Sequence, residues 1–585
     1  MVTTAASPAF AVSYTWLPKS GTGNWMTSLN WTGTSAMDLY PGSTTATDTA
    51  TCSGDLTGNM TLNLDTSVSI QNLFIGDTTG TTTSGTFYTT TISTTNNSTL
   101  TFEAASAASN LAQINNAGAV GNGAANLLTP NIIVNSGTLE IRKNLSQGGG
   151  ANKQNNIVIS GNVTSGNAGS HQLRFTPAGS NEGSSLLEYR GNITNGVGTI
   201  TMVYRVDSGT TANTLRLTGT GNTFTGGITF NGGKSGSATL ESSPASGITG
   251  ALSTGGLTLG TSGSFAALNL GGSLSKVTEV CNISAGGTGP RRIAVIGAGD
   301  RILSGTVTTT TTGTLTLACS NTGSLTFSNA FNGTGPVTVS STGSGKVIFA
   351  GAGSTYSGTA TVRAGGLRLA SGSPLGTGTI TPLAGGTLSL TPYAQTTVGG
   401  LAPNAGGLTD GGNGLMTVSS GLSVADTLTA LVAGRMPDGT WTGTTGITSS
   451  TAAAQVADFQ ARTVGWLDNG DGSVSFAYAA PGDTNLDWVI DVIDASNFVS
   501  AGKYGTGEAA SWAEGDFNYD GVVDVLDAAD FATTGLYNAG SYNSAPGSIG
   551  SVAAVPEPAP GLAAVVAAAA AFGLRRRFAG RSAAS

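Results

Sequence analysis

The chain has 585 residues, of which 90 are Gly and only 9% are charged, and long stretches are built from Thr, Ser, Asn, Ala and Val. That mixture is too polar for a membrane protein and too rich in Val, Ile and Leu for plain disorder. A net charge of -8 disfavours a polyanionic partner such as nucleic acid, because phosphate binding needs a basic surface.

Residues 1–11 end in Ala9-Phe10-Ala11, the pattern that closes a signal peptide, with no basic or apolar stretch ahead of it. One reading makes them a signal-peptide remnant whose true start lies upstream; an accidental Ala-x-Ala in an Ala-rich chain reads as well. Residues 12–77 carry Trp16, Trp25 and Trp31, then the alternating stretches Met60–Leu64 and Val68–Ile70. Large aromatics are usually packing residues, so this segment is expected to be an N-terminal β cap over the end of a core, ahead of a sugar-binding platform. Cys52, Cys281 and Cys319 are an odd, widely spaced set that allows at most one disulfide.

From 78 to 422, strands of four or five residues with period-two patterning recur between Gly, Asn and Ser: Asn131–Val134, Thr214–Leu217, Thr314–Leu317, Lys346–Phe349 and Thr387–Leu390. Gly221-Asn-Thr-Phe-Thr-Gly226 is echoed by Gly353-Ser-Thr-Tyr-Ser-Gly358, each after a short apolar strand. Such degenerate repeats predict a coil of strands, a β-solenoid, because Gly permits sharp corners and each strand stacks on its copy in the next turn. At about 25 residues and about 4.8 Å per turn, the expected rod is roughly 70 Å long. The stretch Ser357–Leu390 resembles the autotransporter-associated β-strand repeat family, which implies a right-handed parallel β-helix in an exported protein and no activity. The membrane β-barrel of a true autotransporter has no counterpart in the last hundred residues.

Residues 423–480 change texture, with Trp441, Trp466 and two apolar runs flanking Asn469-Gly-Asp-Gly472. That is a strong hairpin signal, and Asp468 and Asp471 read as turn formers ahead of metal ligands. A β-rich cap is expected here.

Residues 481–535 carry the one motif with dedicated chemistry. Asp483, Asn485, Asp487, Asp491 and Asp494 fall at positions 1, 3, 5, 9 and 12 of a twelve-residue loop, with the Val489 carbonyl at position 7. The pattern recurs as Asp516, Asn518, Asp520, Asp524 and Asp527, with Val522 at position 7. Ca²⁺ takes six to eight hard oxygens at about 2.3–2.6 Å, and this spacing can wrap them around one point. An acidic loop without metal is the alternative, disfavoured because clustered carboxylates repel unless neutralised. Ile490 and Val523, at position 8, are expected to join the loops by a short β-bridge, and apolar helices are expected at 495–499 and 528–532. The duplicated loop-helix unit resembles a type I dockerin, whose loops also end in Asp; the resemblance implies these twelve residues as Ca²⁺ ligands and a cohesin-like module as partner. Positions 10 and 11 are Val492-Ile493 and Val525-Leu526, apolar where cohesin-binding pairs are often hydroxylated, so an intramolecular or self-associating role is equally expected.

After a linker, 536–554, the tail 555–581 runs Pro556-Glu557-Pro558, an apolar stretch from Gly561 to Leu574, and Arg575-Arg576-Arg577. It resembles the PEP-CTERM sorting signal, which implies recognition of Pro556-Glu557-Pro558 by an exosortase, transient anchoring in the inner membrane through a C-terminal transmembrane helix, and removal of that helix after export. A permanent anchor is the alternative, although the apolar run is short of the roughly 20 residues of a stable span.

The fold expected is therefore mainly β, a right-handed parallel β-helix with a small α-helical calcium-loop domain and a C-terminal transmembrane helix. Its solenoid carboxylates, among them Glu140, Glu188, Glu241 and Glu279, show no repeated acidic pair, and His171 has no nucleophile elbow beside it and is expected on the surface or in a loop. A structural or adhesive surface protein is the leading expectation. A polysaccharide-degrading lyase or hydrolase docked through its calcium module is the alternative; an extracellular polysaccharide and a cohesin-like module are the candidate partners, and the sequence does not choose between a glycan and a protein ligand.

One difference between the loops is testable. Position 6 calls for a residue at positive φ; Gly521 supplies it in the second loop, while the first has Trp488, at a cost of about 1–2 kcal/mol. Calcium titration of Asp520→Ala, which leaves the first loop intact, is expected to show weaker binding than titration of Asp487→Ala; the opposite ranking would refute this.

Overall fold

The computed structural model describes residues 11–545 apart from 34–38, 44, 79–86, 105–109, 118–123, 144–155, 178–184, 206–212 and 233–237. The expected sorting tail, with Pro556, Glu557, Pro558, Arg575, Arg576 and Arg577, lies outside the described residues, as does all of the signal-peptide remnant but Ala11. Among the described residues no helix is long and apolar enough to cross a membrane. The fold is mainly β, with strands in parallel ladders as in a solenoid. The chain divides into two compact units, one running to Ser328 and including Thr334–Pro336, the other taking Asn329–Gly333 and everything from Val337 onward.

In the first unit the alternation of apolar and polar residues decides which side chains point inward, and parallel pairing then places like on like in successive turns. One ladder passes through Ile157–Ile159, Ser185–Tyr189, Asn213–Leu217, Ala238–Ser242, Ala266–Leu270, Arg291–Val295 and Leu315–Cys319. Its register stacks Leu187, Leu215, Leu240, Leu268, Ile293 and Leu317 into one fully buried column. A second ladder aligns Ile141, Phe175, Tyr204 and Phe230, with the Tyr204 and Phe230 rings stacked 4.4 Å apart. A third runs through Val68–Ile70, Thr99–Phe102, Asn131–Val134, Val163–Ser165 and Ile193–Gly196. Stacked residues are 32 apart in sequence from Leu100 to Ile132, 30 from Val163 to Ile193 and 24 from Ile293 to Leu317, so the turns differ in length.

Corners obey a steric rule. A Cβ on Gly161, Gly191 or Gly219 would fall 2.0, 2.2 or 2.4 Å from a carbonyl oxygen of the turn it stacks on, so only glycine fits. Beside them asparagines form a column: the Asn162 amide donates to the Asn131 side chain, that of Asn192 to Asn162 and that of Gly221 to Asn192, at 2.9, 2.9 and 2.8 Å. Backbone amides that a tight corner leaves without strand partners are satisfied in this way.

Parallel pairing begins already within 12–77, where Ser13–Trp16 pairs with Thr49–Gly54 and Gly21–Asn24 with Met60–Leu64. Trp16, Trp25 and Trp31 are buried there, with Trp31 edge-on to both others at 4.9 and 5.0 Å, a packing arrangement with no open ring face for a sugar. His171 corrects its expectation. It is buried in the strand Ser170–Thr176 because it shares the inward phase of Leu173 and Phe175, and its ring nitrogens face the carbonyls of Ser136 at 2.8 Å and Asn167 at 3.1 Å. Cys52, Cys281 and Cys319 are all buried and none of them forms a disulfide.

The second unit, taken by itself, has parallel pairings of its own through Val337–Ser340, Thr359–Leu369, Thr379–Pro382 and Gly386–Leu390 to Leu408–Asp410 and Gly446–Thr448. Parallel stacking ends at Leu415–Val418, which pairs antiparallel with Val474–Ala479, itself antiparallel to Thr463–Asp468. The expected hairpin is present: Asp468 accepts from the Gly470 amide and Asp471 from that of Ser473, so both act as turn formers. Phe224 and Tyr356, equivalent residues of the two echoing hexapeptides, are both buried corner aromatics. Helices α1 (Val424–Arg435) and α2 (Ser450–Ala457) complete the cap.

Truncating the middle of a stacked column leaves a cavity that its neighbours cannot close without leaving register. Leu268→Ala is expected to cost about 2–5 kcal/mol, and hydrogen exchange should show lost amide protection in the strands holding Leu240 and Ile293. Gly191→Ala should open the adjacent corner in the same measurement, whereas substitution of the exposed Val197 should not.

Candidate metal centre

Helices α3 (Val492–Ala501) and α4 (Val525–Thr534) begin at position 10 of their loops, three residues earlier than the apolar pattern implied. The reason is capping: Asp491 and Asp524, at position 9, cap these helices, and Asp494 and Asp527 return a bond to the capping residue's amide. Gly502 and Gly535 close both helices in the left-handed conformation.

The two loops have matching hydrogen-bond frames. In the first, Asp483 accepts from the Trp488 amide at 3.0 Å, Asn485 from Asp487 at 3.0 Å, Asp487 from Val489 at 2.9 Å, and Asp494 from Thr484 and Asp491 at 2.8 and 3.0 Å. In the second, Asp516 accepts from Gly521 at 3.0 Å, Asn518 from Asp520 at 2.8 Å, Asp520 from Val522 at 3.0 Å, and Asp527 from Phe517 and Asp524 at 2.8 and 2.9 Å. Positions 1 and 12 are buried in both loops and position 5 is exposed in both. Positions 4 and 6 have positive φ in each: 60° at Leu486 and 67° at Trp488, then 68° at Tyr519 and 86° at Gly521. The backbone requirement read at position 6 is therefore present, and Trp488 meets it against its own preference.

The expected bridge between Ile490 and Val523 is absent. Ile490 instead pairs with Tyr537. Its carbonyl accepts from the Asn538 amide at 2.8 Å, while the Val523 carbonyl accepts from that of Gly505 at 2.9 Å. Each loop is thus closed by the segment that leaves the other unit's helix. Packing follows the same exchange: a Cβ on Gly482 would strike Phe531 of α4, and one on Gly515 would strike Phe498 of α3. The two loop-helix units therefore pack as one interlocked body.

The pair also sits on the β cap with no linker between them. Gly465 leaves room for Leu486 and Trp512, whose indole donates to the Asp483 carbonyl at 2.7 Å, and Tyr519 lies edge-on to Trp441 at 6.0 Å with the Arg435 guanidinium over its ring. The linker expected from 536 is, as far as it is described, a strap: Tyr542 donates its amide to the Trp488 carbonyl at 3.0 Å, and Asn543 donates to that of Asn413 at 2.8 Å. Sequence reasoning passed over Trp512 and Tyr542, because an isolated aromatic carries no spacing signal; Phe498 and Phe531 fell inside the expected apolar helices, but their exchange of partners was not read.

Among the described residues no three His, Cys, Asp or Glu side chains surround one point as a ligand group; the carboxylates are turned toward backbone amides. Asn485 and Asn518 and the carbonyls of Val489 and Val522 are the other oxygen donors of the two loops. One observation bears on fit. Asp516 Oδ1 is buried without any hydrogen-bond partner, on a residue only 4% exposed. A buried carboxylate oxygen left bare is costly unless a proton or cation meets it, and a hard divalent ion suits this donor set. The residues fit calcium.

Burial pushes Asp483 up to about 7, opposed by the Tyr542 hydroxyl and reinforced by Asp494 and Asp487; it pushes Asp516 up to about 6, with Asp527 and Asp520 adding to the rise. Asp494 and Asp527 are raised for the same leading cause. No family model, curated protein or solved structure matches the chain.

In the metal-free chain the neutral forms of Asp483 and Asp516 are favoured by folding, so their contribution is complete below their ordinary value of 3.8 and is lost as pH rises through about 6 and 7. In chelator, the melting temperature of the loop pair should be higher near pH 4.5 than near pH 7.5, and added calcium should raise it more at pH 7.5. Equal calcium shifts at both pH values would contradict this.

Proposed function

We propose that the protein is an exported, non-catalytic structural or adhesive component of a bacterial surface or extracellular matrix, whose dedicated chemistry is calcium capture by the paired loops. The observation that carries this reading is the recurrence of one hydrogen-bond frame in two acidic loops, with a bare buried carboxylate oxygen in the second. Asp483, Asn485, Asp487, Val489, Asp491 and Asp494 would hold one ion and Asp516, Asn518, Asp520, Val522, Asp524 and Asp527 the other. When bound, the ions supply positive charge that neutralises the buried carboxylates and ties loop to helix. The chain's own residues orient the oxygens by capping and exclude water with Leu486, Phe517 and Trp512.

A scaffold role is supported by the stacked columns and by the occupation of the solenoid carboxylates. Glu140 accepts from Gln113 and Thr176, Glu188 pairs with Arg190, Glu241 pairs with Arg216, and Glu279 accepts from Ser242 and the Leu252 amide. In this reading the solenoid is a right-handed parallel β-helix, the loop pair is dockerin-like, and the tail is a PEP-CTERM signal read by an exosortase at the inner membrane before release to the surface. Val492, Ile493, Val525 and Leu526 are exposed, which suits contact with a cohesin-like module or with a second surface.

Calcium titration of the full chain, with a glycan array and a hydrolysis assay on the loaded protein, tests this. Uptake of two ions and glycan retention without turnover are expected. Release of reducing or unsaturated sugar products would contradict it.

A further inference from the structure

The second halves of the two loops are held by equivalent partners with different side chains. The carbonyl of Trp488, position 6 of the first loop, accepts from the Tyr542 amide at 3.0 Å; the carbonyl of Gly521, position 6 of the second, accepts from the Ala510 amide at 3.0 Å. Ala510 ends at its methyl group. Tyr542 reaches on, donates its hydroxyl to Asp483 Oδ2, and accepts from the Ala480 amide at 3.0 Å. The same Asp483 oxygen takes the Trp488 amide at 3.0 Å, while the other, Oδ1, has only a long bond of 3.3 Å from Asp487. The first loop thus carries both the bulky residue at position 6 and a side chain that pins positions 1 and 6 together, and the second carries neither. Trp488 is fastened on its far side as well, its indole donating to the Tyr478 carbonyl at 2.9 Å.

We infer that Tyr542 is the positioning residue of the first loop: its hydroxyl holds Asp483 Oδ2 so that Oδ1 is presented to a divalent cation, offsetting the handicap of Trp488 at position 6. The inference rests on the calcium reading. A ligand whose second oxygen is already fixed loses little freedom when it takes the ion, which is how partners behind metal ligands act generally, typically changing affinity by tenfold or more. Because the bracing residue lies in the strap after α4, the first site is complete only when that strap is in place.

The test isolates each loop in the full chain. Terbium and calcium affinities are measured for Tyr542→Phe in an Asp520→Ala background, where the first loop remains, and in an Asp487→Ala background, where the second does. Loss of the hydroxyl should weaken the first loop about tenfold and leave the second within error. A merely structural role would weaken both equally, which overturns the inference, as would an unchanged or tighter first loop. Metal-free melting of each variant against its parent checks that the ring alone keeps the strap seated; should it not, Tyr542→Trp, which retains a donor, must recover first-loop affinity or the inference fails. If the unsubstituted protein takes up no ion at either loop, the calcium reading falls first and this one with it.

Discussion

Every turn of the solenoid ladders is fixed by the turn it stacks on, because a strand as short as most of these, such as Ile157–Ile159 or Asn213–Leu217, has too little surface of its own to specify a position. The parallel register supplies what is missing. It sets Leu215 on Leu187 and Leu240 on Leu215, so apolar burial and backbone bonding point to the same alignment, and a slip of one residue would turn a whole column outward. The corners inherit this constraint, with glycine where the carbonyl beneath leaves no space for a Cβ and asparagine where an amide needs a partner. A stack of this kind accepts wide variation in its outward residues, and that freedom suits a surface that displays or spaces.

Much of this was legible in the sequence. Period-two alternation located the strands within a residue or two, as at Asn131–Val134 and Lys346–Phe349, and the echo of Phe224 by Tyr356 identified equivalent corners. His171 was misread because an isolated polar residue was judged by its type and not by its phase with Leu173 and Phe175. The twelve-residue spacing likewise fixed which residues enter each loop, and position 6 announced its positive φ. The exchange between the two units was not legible. The sequence repeat treats each loop and its following helix as one body, whereas Phe531 packs at Gly482 and Asn538 closes on Ile490, contacts that only the folded pair creates. The same limit hid the strap, since nothing in its composition separates Tyr542 from a linker tyrosine.

The loop pair concentrates buried negative charge in a chain otherwise sparing with charge. Asp483, Asp494, Asp516 and Asp527 lie almost fully out of water, and backbone amides answer most of their oxygens but not all. The amide bonds shape the loops by themselves, and on the calcium reading the remaining repulsion is what an ion would relieve. A crystal structure of the protein grown with calcium tests this most directly. The account predicts anomalous density inside each loop, with Asp516 Oδ1 and its fellow oxygens at about 2.3–2.6 Å from the centre. Loops without density, and Asp516 Oδ1 turned to a protein donor, would contradict it.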